Sequence, residues 1–340
     1  MQTPNWSQYL NGLFATMVAV IALCGAINIV VDPLGIFGSP RVSGFNATKP
    51  YLDHHKVLAR WQRAKRLCPT AGIFGNSRAE IGFDPEHSAF DELELIAFNH
   101  AIPGSSIDTS VRQIAWLQEA GCPPRVIVLG LEFFDFLGGS PAEELEHSSP
   151  PPAIDGVVLA ETVFSITALR DSLATIQAQG ATYPATLTER GFNPLLNYIP
   201  EVKTSGHFIL FRQRAVENLK NWSRKPRRIK SADGTLSADF VGLESFLKAA
   251  GESGSTVHLV IYPYHAEIRL MMGRLGLGSL FTEWKENVVR TADKFSRNGL
   301  SVDVTDFSGV TSETSEAIPP QGDRSSHLKY YWEAGHFSLF

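Results

Sequence analysis

A serine, a histidine and an acidic residue occur where they could form a hydrolytic site with a serine nucleophile. Ser77 follows the apolar run TAGIFG at 70–75 and opens a predicted helix. Near the other end of the chain, Glu333 lies three positions before His336. A histidine oriented by a carboxylate can take the proton of a serine hydroxyl, which then attacks an acyl carbonyl. The alternative interpretations are an N-cap serine and a surface acid–histidine pair.

Two glycine-containing segments follow later apolar runs and belong at the same sheet edge, where open α/β folds place their ligands. Gly104 ends the segment NHAIPG at 99–104, and its backbone can approach a substrate closely. Glu132 ends the segment GLE at 130–132. The backbone N–H of Ser77, at a helix N-terminus, can stabilise an oxyanion.

The residues on either side of Ser77 could shape its turn or bind a substrate. Asn76 precedes the serine and can organise the strand-to-helix turn. Arg78 could bind an anionic group of a substrate. It could equally form a surface ion pair with Glu80 or Asp84.

Further histidines compete for the same role. His265 follows the fourth apolar run and either lines the pocket or caps the next helix. Asp323 and His327 precede the final motif and offer a second acid–base pair. The types of these residues alone do not choose between the interpretations.

Five short apolar runs alternate with helical patterns, which predicts a doubly wound parallel sheet with right-handed crossovers. The expected strands lie at 70–75, 93–99, 125–129, 257–262 and 300–304. Residues 138–235 interrupt this rhythm, and we interpret them as an insertion after the third strand. The basic run at 220–230 within it is either a solvated loop or a contact for anionic lipid head groups.

An uncharged apolar stretch at 12–31 is long enough to span a bilayer, because twenty helical residues cover about 30 Å. We therefore expect a tail at 1–11, a transmembrane anchor at 12–31, a stem at 32–68 and a folded domain at 69–340. A buried core helix and a cleaved signal peptide are the alternatives, although no basic residue precedes position 41.

The orientation of this anchor stays open at the level of sequence. Arg41, Lys49 and Lys56 follow the apolar stretch, which by the positive-inside rule favours a cytoplasmic domain. Long domains translocate largely regardless of such charges, so a domain on the opposite side is also consistent with the sequence.

Composition argues against several classes of function. The formal net charge is −5, so the chain as a whole has no basic field that would attract nucleic acid. The three cysteines form no CxxC pair and have no zinc-ligand spacing. We therefore predict no metal, no cofactor and no thiol redox function.

Taken in order, the four segments resemble the blocks of the SGNH (GDSL-type) hydrolase superfamily, in its bacterial membrane-anchored branch. The resemblance covers residues 70–340 without the insertion. It implies a flavodoxin-like sheet of order 2-1-3-4-5, with Ser77 as nucleophile, His336 as base and Glu333 as its orienting acid. The N–H groups of Ser77 and Gly104 would form the oxyanion hole.

The chain departs from the family pattern at three positions. Asn76 stands where the family usually has Asp, and Glu333 replaces the usual Asp before the histidine. Glu132 replaces an Asn that usually donates to the oxyanion. A carboxylate at that position would repel the oxyanion unless it were protonated.

The implied strand order also makes a prediction about cysteines. Strands one and three become neighbours, about 4.8 Å apart, and Cys68 and Cys122 lie just before them. A disulfide between the two would be geometrically feasible and would suit an oxidising periplasm. The alternative is two unrelated small residues.

The resemblance implies a serine esterase or O-acyltransferase that acts on acylated envelope glycan or exopolysaccharide, tethered to the bacterial inner membrane with a periplasmic domain. Relatives in the superfamily include proteins of cell-wall and exopolysaccharide O-acetylation. The alternative is a non-catalytic envelope component that binds glycan or a membrane-bound acyltransferase.

Overall fold

The computed structural model describes residues 6–52, 54–138 and 151–338. The chain divides into two compact units, one of residues 1–63 with 152–186 and one of residues 64–151 with 187–340. We call them the anchor unit and the sheet unit. The predicted insertion at 138–235 is therefore shared between the two, and its residues 139–150 lie outside the described part.

The sheet unit contains five parallel strands in the order β2-β1-β3-β4-β5, as predicted, and a separate antiparallel hairpin, β6–β7. The strands are β1 (Ala71–Phe74), β2 (Ala97–Asn99), β3 (Val126–Leu131), β4 (Thr256–Ile261), β5 (Val302–Asp306), β6 (Tyr331–Glu333) and β7 (His336–Phe337). The helices along the whole chain are α1 (Trp6–Val31), α2 (Lys56–Leu67), α3 (Ser77–Gly82), α4 (Ser88–Glu92), α5 (Ile107–Glu119), α6 (Gly156–Val163), α7 (Ile166–Gln177), α8 (Ile199–Ser205), α9 (His207–Trp222), α10 (Ala238–Glu252), α11 (Ala266–Arg274) and α12 (Gly278–Arg297), with single 3₁₀ turns at Phe133–Phe136, Ala178–Gly180 and Leu196–Tyr198.

Burial on both faces explains the continuous apolar runs of the central strands. All four residues of β1 are buried, and Ile73 pairs in register with Val128 of β3. The predicted second strand was too long at its start, because Glu94 takes a positive φ of 54° and only residues 97–99 pair with β1. The edge strand β5 lies two residues further along the chain than predicted.

Helices α5 and α10 pack against each other beside the central strands. Helix α5 turns an apolar face inward, and Val111, Ile114 and Leu117 on that face are buried. Phe246 of α10 contacts Phe74 of β1 edge to face, at 5.5 Å between ring centroids. This packing anchors the strand that ends beside Ser77.

In the anchor unit, α1 begins at Trp6, so residues 6–11 are helical rather than part of the predicted tail. Among the described residues, α1 alone is long and apolar enough to cross a membrane, by length and composition. Asn28, the one amide side chain of the apolar stretch at 12–31, is buried, donates to the Val163 carbonyl at 2.7 Å and accepts from the Ser172 hydroxyl at 2.8 Å. Helices α6 and α7 therefore provide the hydrogen-bond partners of the Asn28 side-chain amide.

The stem after α1 is held by a buried ion pair. The carboxylate of Asp32 accepts hydrogen bonds from four backbone N–H groups between Ile36 and Ser39. The Lys49 ammonium lies 3.8 Å from that carboxylate and donates to the Val31 carbonyl at the end of α1. Burial lowers the pKa of Lys49 to about 8, although the charge of Asp32 opposes the shift.

The structure joins Cys68 and Cys122 in a disulfide, with their Cα atoms 5.0 Å apart. Arg125 and Val126 donate to the Thr70 carbonyl, so the segments that lead into β1 and β3 are already adjacent at this point.

Replacing both Cys68 and Cys122 by alanine is expected to lower the free energy of unfolding by about 4 kcal/mol. The bridge spans 54 positions, and closing a loop of that length removes chain entropy from the unfolded state. Guanidinium chloride unfolding followed by tryptophan fluorescence would measure the loss. Cys24→Ala, which removes the free thiol, is the control and should leave the midpoint unchanged; an equal midpoint for the double variant would contradict the prediction.

Candidate active site

Ser77 lies at the N-terminus of α3, immediately beyond the carboxyl end of β1. Gly75 takes a positive φ of 140°, and a Cβ there would lie 2.5 Å from the Tyr262 hydroxyl, so the turn requires glycine. Asn76 is the N-cap, and its side-chain oxygen accepts from the Arg78 N–H at 3.0 Å. The turn therefore holds the serine hydroxyl at the carboxyl edge of the sheet.

His336 reaches Ser77 from the far end of the chain. Its Nε2 lies 2.9 Å from the Ser77 Oγ, and its Nδ1 hydrogen-bonds to the Glu333 Oε1. Glu333 and His336 pair across the β6–β7 hairpin, which brings an acid and a histidine three positions apart side by side. The three groups form a continuous hydrogen-bonded chain of serine, imidazole and carboxylate.

Glu333 is buried but kept in its charged form. Its second oxygen accepts from the Gly335 N–H at 2.7 Å and lies 3.0 Å from the Arg214 Nε. Burial by itself would raise the pKa of Glu333. The hydrogen bond and charge of His336, the charge of Arg214 and the Gly335 N–H outweigh burial and lower that pKa.

The hairpin docks on α3 because Gly82 has no side chain. A Cβ at Gly82 would lie 1.9 Å from the ring of Phe337, the residue next to His336. Trp332 of the same hairpin packs with Ile81 of α3 and with Leu210 of α9. The helix that begins with Ser77 thus also seats the segment that carries His336.

Gly82→Ala is expected to lower the free energy of unfolding by about 1–3 kcal/mol, because overpacking must displace Phe337. The shift would also move His336, so the rate of reaction at Ser77 should fall although no polar group is altered. Guanidinium unfolding and the rate at which Ser77 reacts with a fluorophosphonate would measure the two effects. Gly251→Ala in α10 is the matched control, since its Cβ would meet only Leu300, at 3.8 Å; equal stability of the two variants would contradict the argument.

Helix α9, which belongs to the predicted insertion, also supports the β6–β7 hairpin. His207, at the start of α9, has its Nδ1 3.1 Å from the Trp332 carbonyl, and its Nε2 accepts from the Leu328 N–H at 3.2 Å. Arg214 of the same helix contacts Glu333. Helix α9 therefore positions both the hairpin and the acid.

Glu132 is paired with Arg78 rather than exposed to the site as a free charge. The Arg78 Nε lies 2.6 Å from a Glu132 oxygen, and the guanidinium lies over the Tyr264 ring at 4.8 Å from its centroid. Tyr264 donates to the other Glu132 oxygen at 2.8 Å. The partner of Arg78 is thus Glu132. Glu80, predicted as a surface partner, is buried and accepts from Asn193 at 3.1 Å.

A pocket of about 260 Å³ opens onto Ser77 and His336. Its far wall comes from α9 and the residues just after it, where polar side chains recur every three or four positions. The wall residues are Arg214, Asn218, Asn221, Trp222 and Lys225. The side-chain nitrogen of Asn218 is buried and has no hydrogen-bond partner within the described part of the chain.

The floor of this pocket carries a second acid. Asp135 lies 4.0 Å from Lys225, and burial, followed by the charge of Glu132, raises the pKa of Asp135 to about 7. Trp222 stacks on Phe134 at 3.7 Å between ring centroids. The pocket therefore combines paired charges, amide groups and an aromatic wall.

Other predicted site residues lie elsewhere. Gly104 is exposed, with a positive φ of 72°, and does not line this pocket. His265 is buried and caps α11 by accepting from the Glu267 N–H, which was the structural alternative. Asp323 accepts from the hydroxyls of Ser325 and Ser326, and His327 is exposed, so that pair forms no second acid–base site.

Sequence reasoning missed the contribution of α9. Of the charged residues in the basic run at 220–230, Lys225 lines the pocket, whereas Lys230 pairs with Glu283 at 2.6 Å. The spacing of Arg214, Asn218 and Asn221 along one helix face was the available signal. This spacing does not reveal which part of the sheet the polar face of α9 contacts.

We found no protein-family model, no curated protein and no solved structure that matches this chain.

Proposed function

We propose that the chain is a membrane-anchored serine hydrolase or O-acyltransferase of the SGNH type. The observation that carries the proposal is the chain of contacts from the Ser77 hydroxyl through the His336 ring to the buried, charged Glu333. The parallel sheet of order 2-1-3-4-5, with the serine directly after its central strand β1, supports the same assignment.

In the proposed reaction, His336 Nε2 takes the proton of the Ser77 hydroxyl while its oxygen attacks an ester carbonyl. Glu333 stabilises the imidazolium that forms and does not itself take up the proton. The imidazolium then protonates the departing alcohol, which leaves an acyl-enzyme. Water or a sugar hydroxyl, deprotonated by His336, takes the acyl group from Ser77 and restores the hydroxyl.

The oxyanion would be stabilised at the N-terminus of α3, where the Ser77 N–H points out of the helix. Arg78 lies 2.6 Å from Glu132 and balances its charge, which reduces the repulsion of an oxyanion formed beside it. The unpartnered amide of Asn218, on the opposite wall, is available to a polar group of the substrate.

The proposed substrate class is an acylated envelope glycan or exopolysaccharide. An aromatic wall and side-chain amides suit the faces and hydroxyls of a sugar. The disulfide between Cys68 and Cys122 favours an oxidising compartment, which in a bacterium with α1 in its inner membrane is the periplasm.

Reaction of the full chain, in its membranes, with a fluorophosphonate probe tests the proposal. We expect a covalent adduct on Ser77 that is lost in Ser77→Ala and kept in Ser106→Ala, a change to an exposed serine of the adjoining loop. A folded chain that never labels would refute the enzyme. It would leave the non-catalytic component, which capture of a polytopic acyltransferase would support.

A further inference from the structure

Helices α6 and α7 of the anchor unit form a hairpin that runs alongside the end of α1. Val158 of α6 packs against a cluster that contains Leu34 and Ile36, beyond the end of α1, whereas the carbonyl of Val163 accepts from Asn28 within α1. The turn that follows α6 lies further back still, because a Cβ at Gly25 would lie 3.0 Å from the Phe164 ring. The hairpin therefore points its turn toward the apolar part of α1.

The depth of that turn follows from the length of α1. Trp6 and Tyr9 are exposed at its start, the position of an interfacial aromatic belt. Counting about twenty residues from Tyr9, at about 1.5 Å each, reaches Asn28 at the opposite edge of a hydrocarbon core of about 30 Å. Gly25 and the turn against it lie about 4.5 Å inside that edge.

The turn carries large apolar side chains that stay exposed among the described residues. Phe164 is 52% exposed and Ile166 is 87% exposed. Further apolar residues of the two helices are exposed as well: Val157, Leu159 and Leu173. Isolated exposed apolar residues are ordinary, but a group beside a membrane-spanning helix indicates a contact surface.

The Ser165 hydroxyl at the turn makes the local hydrogen bonds that a lipid environment requires of a polar group. The Ser165 hydroxyl donates to the Glu161 carbonyl and accepts from the Ala168 N–H at 3.0 Å. Arg170, one helical turn beyond Ile166, is exposed and can extend its guanidinium to lipid phosphates.

We infer that Phe164, Ser165 and Ile166, at the turn of the α6–α7 hairpin, insert into the acyl boundary of the bilayer that α1 spans. The inference rests on the proposed membrane span of α1 and is independent of the chemistry at Ser77. The hairpin would act as a second, shallow membrane contact that fixes the tilt and rotation of the anchor unit.

Nitroxide spin labels test this in the full chain, reconstituted in phosphatidylcholine–phosphatidylglycerol vesicles. In a Cys24→Ala background with the disulfide intact, single labels are placed at Ile166→Cys, at Val18→Cys in α1 and at Val310→Cys in the sheet unit. Collision with oxygen, which enters lipid, is compared with collision with a water-soluble nickel chelate. We expect an oxygen-to-nickel ratio at Ile166 several-fold above that at Val310 and close to that at Val18.

Three other outcomes would overturn the inference, and each has a different meaning. A ratio at Ile166 equal to that at Val310, with Val18 in lipid, would leave the anchor and reject the hairpin contact. Protection of the Ile166 label from both reagents would indicate a protein partner or a second copy instead of lipid. A water-like ratio at Val18 would reject the membrane span together with the contact that depends on it.

Discussion

His336→Ala is expected to lower kcat for hydrolysis of para-nitrophenyl acetate by about 10³–10⁴-fold. Without the imidazole 2.9 Å from its oxygen, the Ser77 hydroxyl has no base to take its proton as it attacks. Donors to the oxyanion and binding of the substrate remain, so a residual rate above that of water should persist. Initial rates at saturating substrate, divided by the concentration of folded protein judged from tryptophan fluorescence, would measure the loss.

His327→Ala is the matched control for that experiment. This histidine belongs to the same C-terminal segment but is exposed and does not line the pocket. Its replacement should leave kcat unchanged. Equal losses in the two variants, or an unchanged kcat in His336→Ala, would exclude His336 as the base.

Arg78→Met is expected to have the second large effect, a loss of about 3–5 kcal/mol in the free energy of unfolding. The substitution leaves the Glu132 carboxylate buried with only the Tyr264 hydroxyl still bonded to it. It also leaves a negative charge facing the oxyanion, so labelling by fluorophosphonate should slow by about 10²-fold. Guanidinium unfolding and labelling kinetics would record the two effects separately.

The double variant Arg78→Met/Glu132→Gln distinguishes two causes of lost stability: the unpaired charge of Glu132 and the missing guanidinium of Arg78. Removing both charges should restore most of the stability, because no uncompensated ion remains buried. A double variant as unstable as Arg78→Met would show that the packing of Arg78 on Tyr264, and not its charge, is what the fold requires. Surface pairs such as Arg290 with Glu286 should show no comparable coupling.

The alternation of apolar strands with helical patterns was sufficient to predict the parallel sheet. A strand buried on both faces needs a continuous apolar run, and TAGIFG and RVIVL have that character without any knowledge of their neighbours. The ends of the strands were harder to predict, since the start of β2 depends on the positive φ of Glu94. Local backbone geometry of this kind leaves little trace in residue type.

Within the site, residues separated by a few positions were predictable and residues from distant segments were not. Glu333 and His336 could be paired from their spacing, because a tight hairpin or one helical turn brings them together. The pairing of Arg78 with Glu132 was not foreseen, since it joins the ends of two different strands across 54 positions of sequence. Only the arrangement of β1 beside β3 places those two charges 2.6 Å apart.

Residue types and periodicity by themselves determined the class of fold, the apolar stretch that became α1, and a short set of polar groups at the carboxyl edge of the sheet. Tertiary structure alone decided which of those groups meet: His336 reaches Ser77, His265 caps a helix, and Gly104 stays outside the pocket. The physical reason is that secondary structure follows from local patterns of burial and backbone freedom. Catalytic contacts depend instead on packing between segments far apart in the chain, such as Phe337 against Gly82.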